Sequence, residues 1–257
     1  MLFFSVQRYL VVGGTEKMTE VVEFIPSNSI PFYGQLPNMR IGAVGAMLGN
    51  APIICGGKEK GYYFDSCLTF ANSQWSQSHS MNEKRYFPAV VKINSTTFWI
   101  LGGKYKSSLN NSHVFLDSTE FISEGQTNGV PGPKLPYAMS RMCAVKVSEE
   151  EIFLIGGWNG SSARNEVWIF NPQNGFESKP GPSLNLKRYY HSCSTMRHGG
   201  KTVIVVAGGY GLDSFEIYDP IENNWHLGKE ITKYFNSIFR FKSNQNSQQP
   251  ESFLFLL

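Results

Sequence analysis

Five times along this chain an apolar run closes on a pair of glycines: LVVGG at Gly13-Gly14, IICGG at Gly56-Gly57, WILGG at Gly102-Gly103, FLIGG at Gly156-Gly157 and VVAGG at Gly208-Gly209. The first glycines stand 43, 46, 54 and 52 residues apart. A step of about 50 residues is the period of a β-propeller blade, and self-similarity of that length constrains the fold before any local reading. A sixth pair, Gly199-Gly200, follows Arg197-His198 and reads as a turn.

Other landmarks keep step with the glycines. After each pair comes a polar loop and then a strand ending near an aromatic, at Phe24, Phe70, Phe121, Phe170 and Tyr218. Turn formers such as Asn171-Pro172 and Asp219-Pro220 then favour a reversal. A further strand opens, often on an aromatic (Phe32, Trp75, Phe176, Trp225), and a basic residue starts the next: Arg40, Arg85, Arg141, Arg188 and Lys233. Short strands bounded by Gly, Pro and Asn, with no amphipathic helical stretch, predict an all-β chain. Glycine at a strand end supplies the positive φ that a side chain resists.

In Arg188-Tyr189, Gly208-Gly209, Tyr218-Asp219-Pro220 and Trp225 the fifth unit resembles the Kelch repeat, and Arg40-Ile41-Gly42 is similar to a Kelch strand opening. The likeness covers essentially the whole chain, although the first and third units lack the Trp. It implies an all-β, Kelch-type β-propeller with four antiparallel strands per blade and about five blades visible. One domain over residues 1–257 would hold blades near 1–39, 40–84, 85–140, 141–187 and 188–232 and a partial blade at 233–257. Either the strand at Tyr234–Phe241 completes the first blade and makes five, leaving the terminal FLFLL redundant, or the chain is a truncated six- or seven-bladed ring. The SNQNSQQ stretch at 243–249 is low in complexity and reads as a loop.

Charge excludes some partners. Lys+Arg 23 against Asp+Glu 20 leaves a net charge of +3, too small to point to nucleic acid or an anionic membrane. No apolar run approaches the roughly 18 residues of a membrane span. The opening MLFFSVQRYLVV lacks a basic n-region and a small-residue cleavage site, so it reads poorly as a signal peptide. Cys55, Cys67, Cys143 and Cys193 lie in apolar β runs with no CxxC spacing, and all four are expected to be buried thiols. Cys55 and Cys67 merit attention as a pair on adjacent strands. Reduced cysteines point to a cytoplasmic location. Asn94, Asn110 and Asn159 each open an N-x-[ST] triplet, which hints at secretion instead, although a chain rich in Asn and Ser yields such triplets by accident.

The histidines, His79, His113, His191, His198 and His226, show no HxH or HxxxH spacing, and no HExxH, GxSxG or P-loop pattern occurs. The expectation is a non-catalytic chain without metal or cofactor. A galactose-oxidase-like or other propeller enzyme and a cytoskeletal or structural scaffold are the alternatives. The Kelch resemblance implies a protein–protein interaction module that docks a partner on the loops after Gly-Gly and before the Arg-led strand. Matching positions are Arg40, Arg85, Arg141 and Arg188, with Tyr86, Trp158, Tyr189 and Tyr210 beside them. Arginine forks grip carboxylates, so the implied partner is a protein or peptide, an acidic one in particular. Alternatively each arginine is structural, bonding loop carbonyls between blades. The resemblance also implies substrate recognition for a cullin-RING ubiquitin ligase, given a BTB part elsewhere.

Overall fold

In the computed structural model, the structure describes the backbone of residues 9–12, 20–24 and 32–33, and backbone with side chains from 34 to 228. The expected glycines Gly13 and Gly14, the basic residue Lys233, the strand at Tyr234–Phe241 and the stretches after it lie outside the described residues. The described chain divides into two compact units, one up to Ser140 and one from Arg141 onward.

Both units are antiparallel sheet. The first holds a three-stranded sheet I (Tyr9–Val12, Glu20–Phe24, Phe32–Gln35). Its sheet II runs through Ile41–Leu48, Ala51–Glu59, Ser66–Ala71 and Gln74–Ser80. Its sheet III runs through Ala89–Asn94, Thr97–Leu101, Thr119–Ser123 and Val130–Pro131. The second unit holds sheet IV (Cys143–Lys146, Ile152–Trp158, Ala163–Asn171, Glu177–Gly181) and sheet V (Ser192–His198, Lys201–Ala207, Phe215–Asp219, Asn224–Gly228). In sheets II to V each strand of the four pairs with its neighbour in sequence order, the plan of a Kelch β-propeller blade. One 3₁₀ turn, Pro172–Asn174, is the only helical segment among the described residues.

The sheets bury apolar faces against one another within each unit. Phe153, Ile155 and Val167 of sheet IV meet Ile204, Val206, Tyr218 and Trp225 of sheet V. The Trp225 indole N–H donates to the Pro182 carbonyl at 2.8 Å, which lets a large ring be buried without stranding its polar atom. In the first unit Ile53 and Cys55 of sheet II join Phe98, Ile100 and Ile122 of sheet III. The third sheet has no Trp on its last strand. Trp99, on its second strand, is fully buried and stacks on Phe121 instead, at 5.5 Å between ring centroids.

Both Gly-Gly residues have positive φ in all four described pairs: 71° and 90° at Gly56-Gly57, 56° and 99° at Gly102-Gly103, 56° and 113° at Gly156-Gly157, 69° and 121° at Gly208-Gly209. A Cβ on Gly156 would sit 2.6 Å from the Arg188 carbonyl oxygen, so conformation and space both exclude a side chain there.

The cysteines correct the expectation of free thiols. Cys55 bonds to Cys67 and Cys143 to Cys193, which leaves no free cysteine. The first bridge joins directly opposed residues on the second and third strands of sheet II, with Cα atoms 4.0 Å apart. The second joins the first strands of sheets IV and V across 50 residues of sequence. Motif spacing could reveal neither, because strand register brings Cys55 to Cys67 and the packing of sheet IV against sheet V brings Cys143 to Cys193. Closing loops of these lengths removes chain entropy equivalent to about 3 and about 4 kcal/mol respectively. Alkylation of the unfolded, unreduced protein should therefore label no cysteine, and Cys143→Ser should lower unfolding stability by about 2–4 kcal/mol in a urea titration.

Candidate functional site

The arginines divide by position. Arg85 is 0% exposed. Its guanidinium donates to the carbonyls of Gly102 and Ser118, to the Ser118 hydroxyl and to Glu120, the last at 2.8 and 3.1 Å. Arg188 repeats the pattern on sheet V, with Gly208, Ser214 and Glu216. The two glutamates are saturated from the other side. Glu120 accepts from Asn82 N and Nδ2 and from Glu83 N, and Glu216 accepts from Asn185 N and Nδ2 and from Leu186 N. Each blade of this type is thus pinned by an Asn-x-x-Arg loop gripping a Ser-x-Glu strand. These two arginines take the structural alternative.

The other two positions depart from it. Arg40 reaches Gly56 O, Ser66 O and Ser66 Oγ, but Pro37 stands where the asparagine would be and Leu68 where the glutamate would be. Proline has no N–H to give a carboxylate, and leucine has no carboxylate to receive one; the two losses match. Arg40 lies over the Phe64 ring at 4.2 Å, and its Nε has no partner among the described residues. Burial pulls its pKa down to about 10, opposed by Asp65 and Tyr62. An open cleft of about 460 Å³ adjoins it, lined also by Tyr62, Phe64, Asp65, Leu68 and Trp75.

Arg141 is displaced from the register read in the sequence. Arg85 and Arg188 accept, through their carbonyls, the N–H of Gly57 and Gly157; the residue doing this for Gly103 is Met139. Met139 is therefore the counterpart of those arginines. Arg141 is the counterpart of Phe87 and Tyr190, two residues further on, and shares their positive φ near 60°. Its guanidinium lies 4.6 Å from the Tyr190 ring centroid and 5.9 Å from that of Tyr189. In sheet IV the register gives the serine position to Glu166 and the glutamate position to Trp168, and Glu166 pairs with Arg164 at 2.7 Å.

The tyrosines form a recurring arrangement. Tyr86 and Tyr189 each follow a pinning arginine, and each ring is flanked by the residues that follow two Gly-Gly pairs. For Tyr189 the flanking groups are Trp158, at 5.0 Å between centroids, and Tyr210, stacked at 5.3 Å and 72% exposed. For Tyr86 they are Lys58, 4.9 Å from its centroid, and Lys104, 5.8 Å away. Tyr62, 57% exposed, carries Lys84 over its ring at 4.9 Å. One unit sets aromatic groups around its tyrosine, and the other sets cations, of which Lys58 is half-buried and Lys104 buried. The sequence singled out Tyr86, Tyr189, Tyr210 and Trp158 but neither Tyr62 nor Lys58, Lys84 and Lys104, the lysines' signal being their place directly after Gly-Gly or beside an arginine.

Comparison with known proteins agrees with this plan. The Kelch motif model matches residues 139–175. Kelch-like protein 23 of Homo sapiens, Pongo abelii and Mus musculus is 27% identical over 142 residues, which is 53% of this chain. The match spans 23% of the length of those relatives. In its four-stranded blades and in these sequence matches the chain is similar to proteins of the Kelch repeat family.

Replacing Glu216 with Gln should cost about 3–5 kcal/mol in a urea titration, because it strands the buried Arg188 cation. The double change Arg188→Met with Glu216→Leu, which copies the residues found at positions 139 and 68, should cost less than that single change.

The buried His191 ring supplies a pH test. Its Nε2 donates to Ile155 O at 3.1 Å, and its Nδ1 meets no partner among the described residues. Burial first, and then the Arg188 cation, holds its pKa at about 3 against the usual 6.5. Between those values the unfolded chain binds the proton and the folded one does not, so stability falls as pH drops below about 6.5. This residue contributes at most about 1.4 kcal/mol per pH unit to the slope. His191→Gln should flatten a plot of unfolding midpoint against pH over that interval, and an unchanged slope would mean another group controls it.

Proposed function

We propose that this chain is a non-catalytic protein-interaction module whose contact groups are the tyrosine-centred clusters beside the Gly-Gly pairs. The observation that carries the reading is the repetition of one arrangement, a tyrosine flanked by two residues that follow Gly-Gly, with Tyr210 left 72% exposed. Amphipathic rings held rigid by stacking lose little entropy on binding, which suits them to be anchors.

The cationic version favours an acidic partner segment. Lys58 and Lys84 stand over tyrosine rings, and Arg40 lacks the glutamate that its counterparts possess. A carboxylate from a partner would replace what Leu68 removed. An adaptor role in a cullin-RING ubiquitin ligase rests on the Kelch resemblance alone, and the two disulfides favour work in an oxidising compartment over the cytoplasmic location expected of reduced cysteines.

A peptide-display selection against the whole chain tests the reading. Selected sequences should be enriched in Asp and Glu, and Lys58→Glu should weaken their binding by roughly tenfold or more, increasingly so at low salt. Tyr210→Ala should weaken capture of peptides that dock on the aromatic cluster while leaving the urea midpoint unchanged. Selected peptides without acidic bias, and indifferent to both changes, would sink the proposal.

A further inference from the structure

All three N-x-[ST] triplets lie in turns at the ends of strands. Asn94-Ser95-Thr96 forms the exposed hairpin between the first two strands of sheet III. Asn110-Asn111-Ser112 sits on the exposed turn between the short strands Lys104–Lys106 and His113–Phe115. Asn159-Gly160-Ser161 links the second and third strands of sheet IV. In each, the hydroxyl two residues on donates to the asparagine Oδ1, at 3.1, 2.7 and 3.1 Å, and the backbone N–H of that same residue donates too, at 2.9, 3.2 and 3.0 Å. The Oδ1 is thereby occupied, while no Nδ2 of the three is bonded to another described residue. The amide nitrogen is the end of the side chain left to react.

A second observation is independent of the triplets. Every cysteine is paired, and one pair bridges two blades. Disulfides of this kind persist where proteins fold in an oxidising lumen, which is also where asparagine is glycosylated. Asn and Ser concentrate in turns in any chain, so this placement supplies access to the side chain rather than a statistical signal. Here none of the three is buried in a sheet.

We propose that Asn94, Asn110 and Asn159 are N-glycosylation sites, and that the chain matures in an oxidising secretory compartment. The donor is a polyprenyl-diphosphate-linked oligosaccharide with N-acetylglucosamine at its linked end. The asparagine Nδ2 forms a bond to the anomeric carbon of that sugar. The anomeric carbon–oxygen bond to the diphosphate breaks, the lipid diphosphate leaves with the electron pair, and the proton lost from Nδ2 balances its charge. No oxidant or reductant is consumed.

The test uses the native full-length protein, isolated from the cells that make it and digested in ¹⁸O-labelled water with and without peptide-N-glycosidase. Enzyme-dependent conversion of the three asparagines to ¹⁸O-labelled aspartate, read by tandem mass spectrometry, is the expected result. The enzyme-free digest accounts for spontaneous deamidation, to which Asn159-Gly160 is prone. In protein made in a glycosylating secretory host, Thr96→Ala, Ser112→Ala and Ser161→Ala should each abolish label at their own asparagine and remove one step of electrophoretic retardation. These residues lie in exposed or half-buried turns, so the variants keep the fold. Asparagines without enzyme-dependent label in the native protein, or cysteines that alkylate there without reductant, would overturn the proposal.

Discussion

The structure hangs on what two consecutive left-handed glycines do to the hydrogen bonds at a strand end. The carbonyl of the first glycine turns to receive a guanidinium from its own blade: Arg40 at Gly56, Arg85 at Gly102 and Arg188 at Gly208. The N–H of the second turns the other way and donates to the loop that opens the following blade, Gly57 to Arg85 O, Gly103 to Met139 O and Gly157 to Arg188 O. Within each unit one dipeptide therefore ties a sheet to itself and to its successor. An L-residue at either place would be strained, and its Cβ at Gly156 would strike the very carbonyl that makes the second link.

Around that fixed hub the pinning chemistry varies. Sheets III and V use a complete Asn, Arg, Ser and Glu set with every carboxylate lone pair spoken for, which is how a buried charge becomes tolerable. Sheet II drops asparagine and glutamate together and keeps only carbonyls, a hydroxyl and an aromatic face for Arg40. Methionine replaces the arginine at position 139, and in sheet IV Glu166 takes the place of the serine and Trp168 that of the glutamate. Paired losses are expected when a half-made ionic network is worse than none.

The strand order and the glycine hubs were legible because their cause is local: a backbone conformation needs a residue type, and the residue type recurs. The pinning role of Arg85 and Arg188 was legible only as one of two alternatives, since Glu120 and Glu216 lie about 30 residues away and nothing in the spacing assigns them. Arg141 shows the limit of reading a landmark by chemistry. It is basic and opens a strand, yet hydrogen bonding gives that place to Met139. Cys55 and Cys67 were legible as neighbours on adjacent strands, though not as a bond, whereas the other bridge was illegible for a different reason. Cys143 and Cys193 meet because two first strands come side by side within one unit, a relation that no sequence motif encodes.

That bridge also changes what a pull on the chain can do. Fifty residues of sequence separate its two cysteines, and sheet IV lies wholly between them. Tension applied at the termini would pass through the sulfurs and bypass sheet IV. Roughly 170 Å of contour, at about 3.4 Å per extended residue, would stay unspooled until the bond was reduced. In this region mechanical compliance is set by redox state, not by hydrogen bonds.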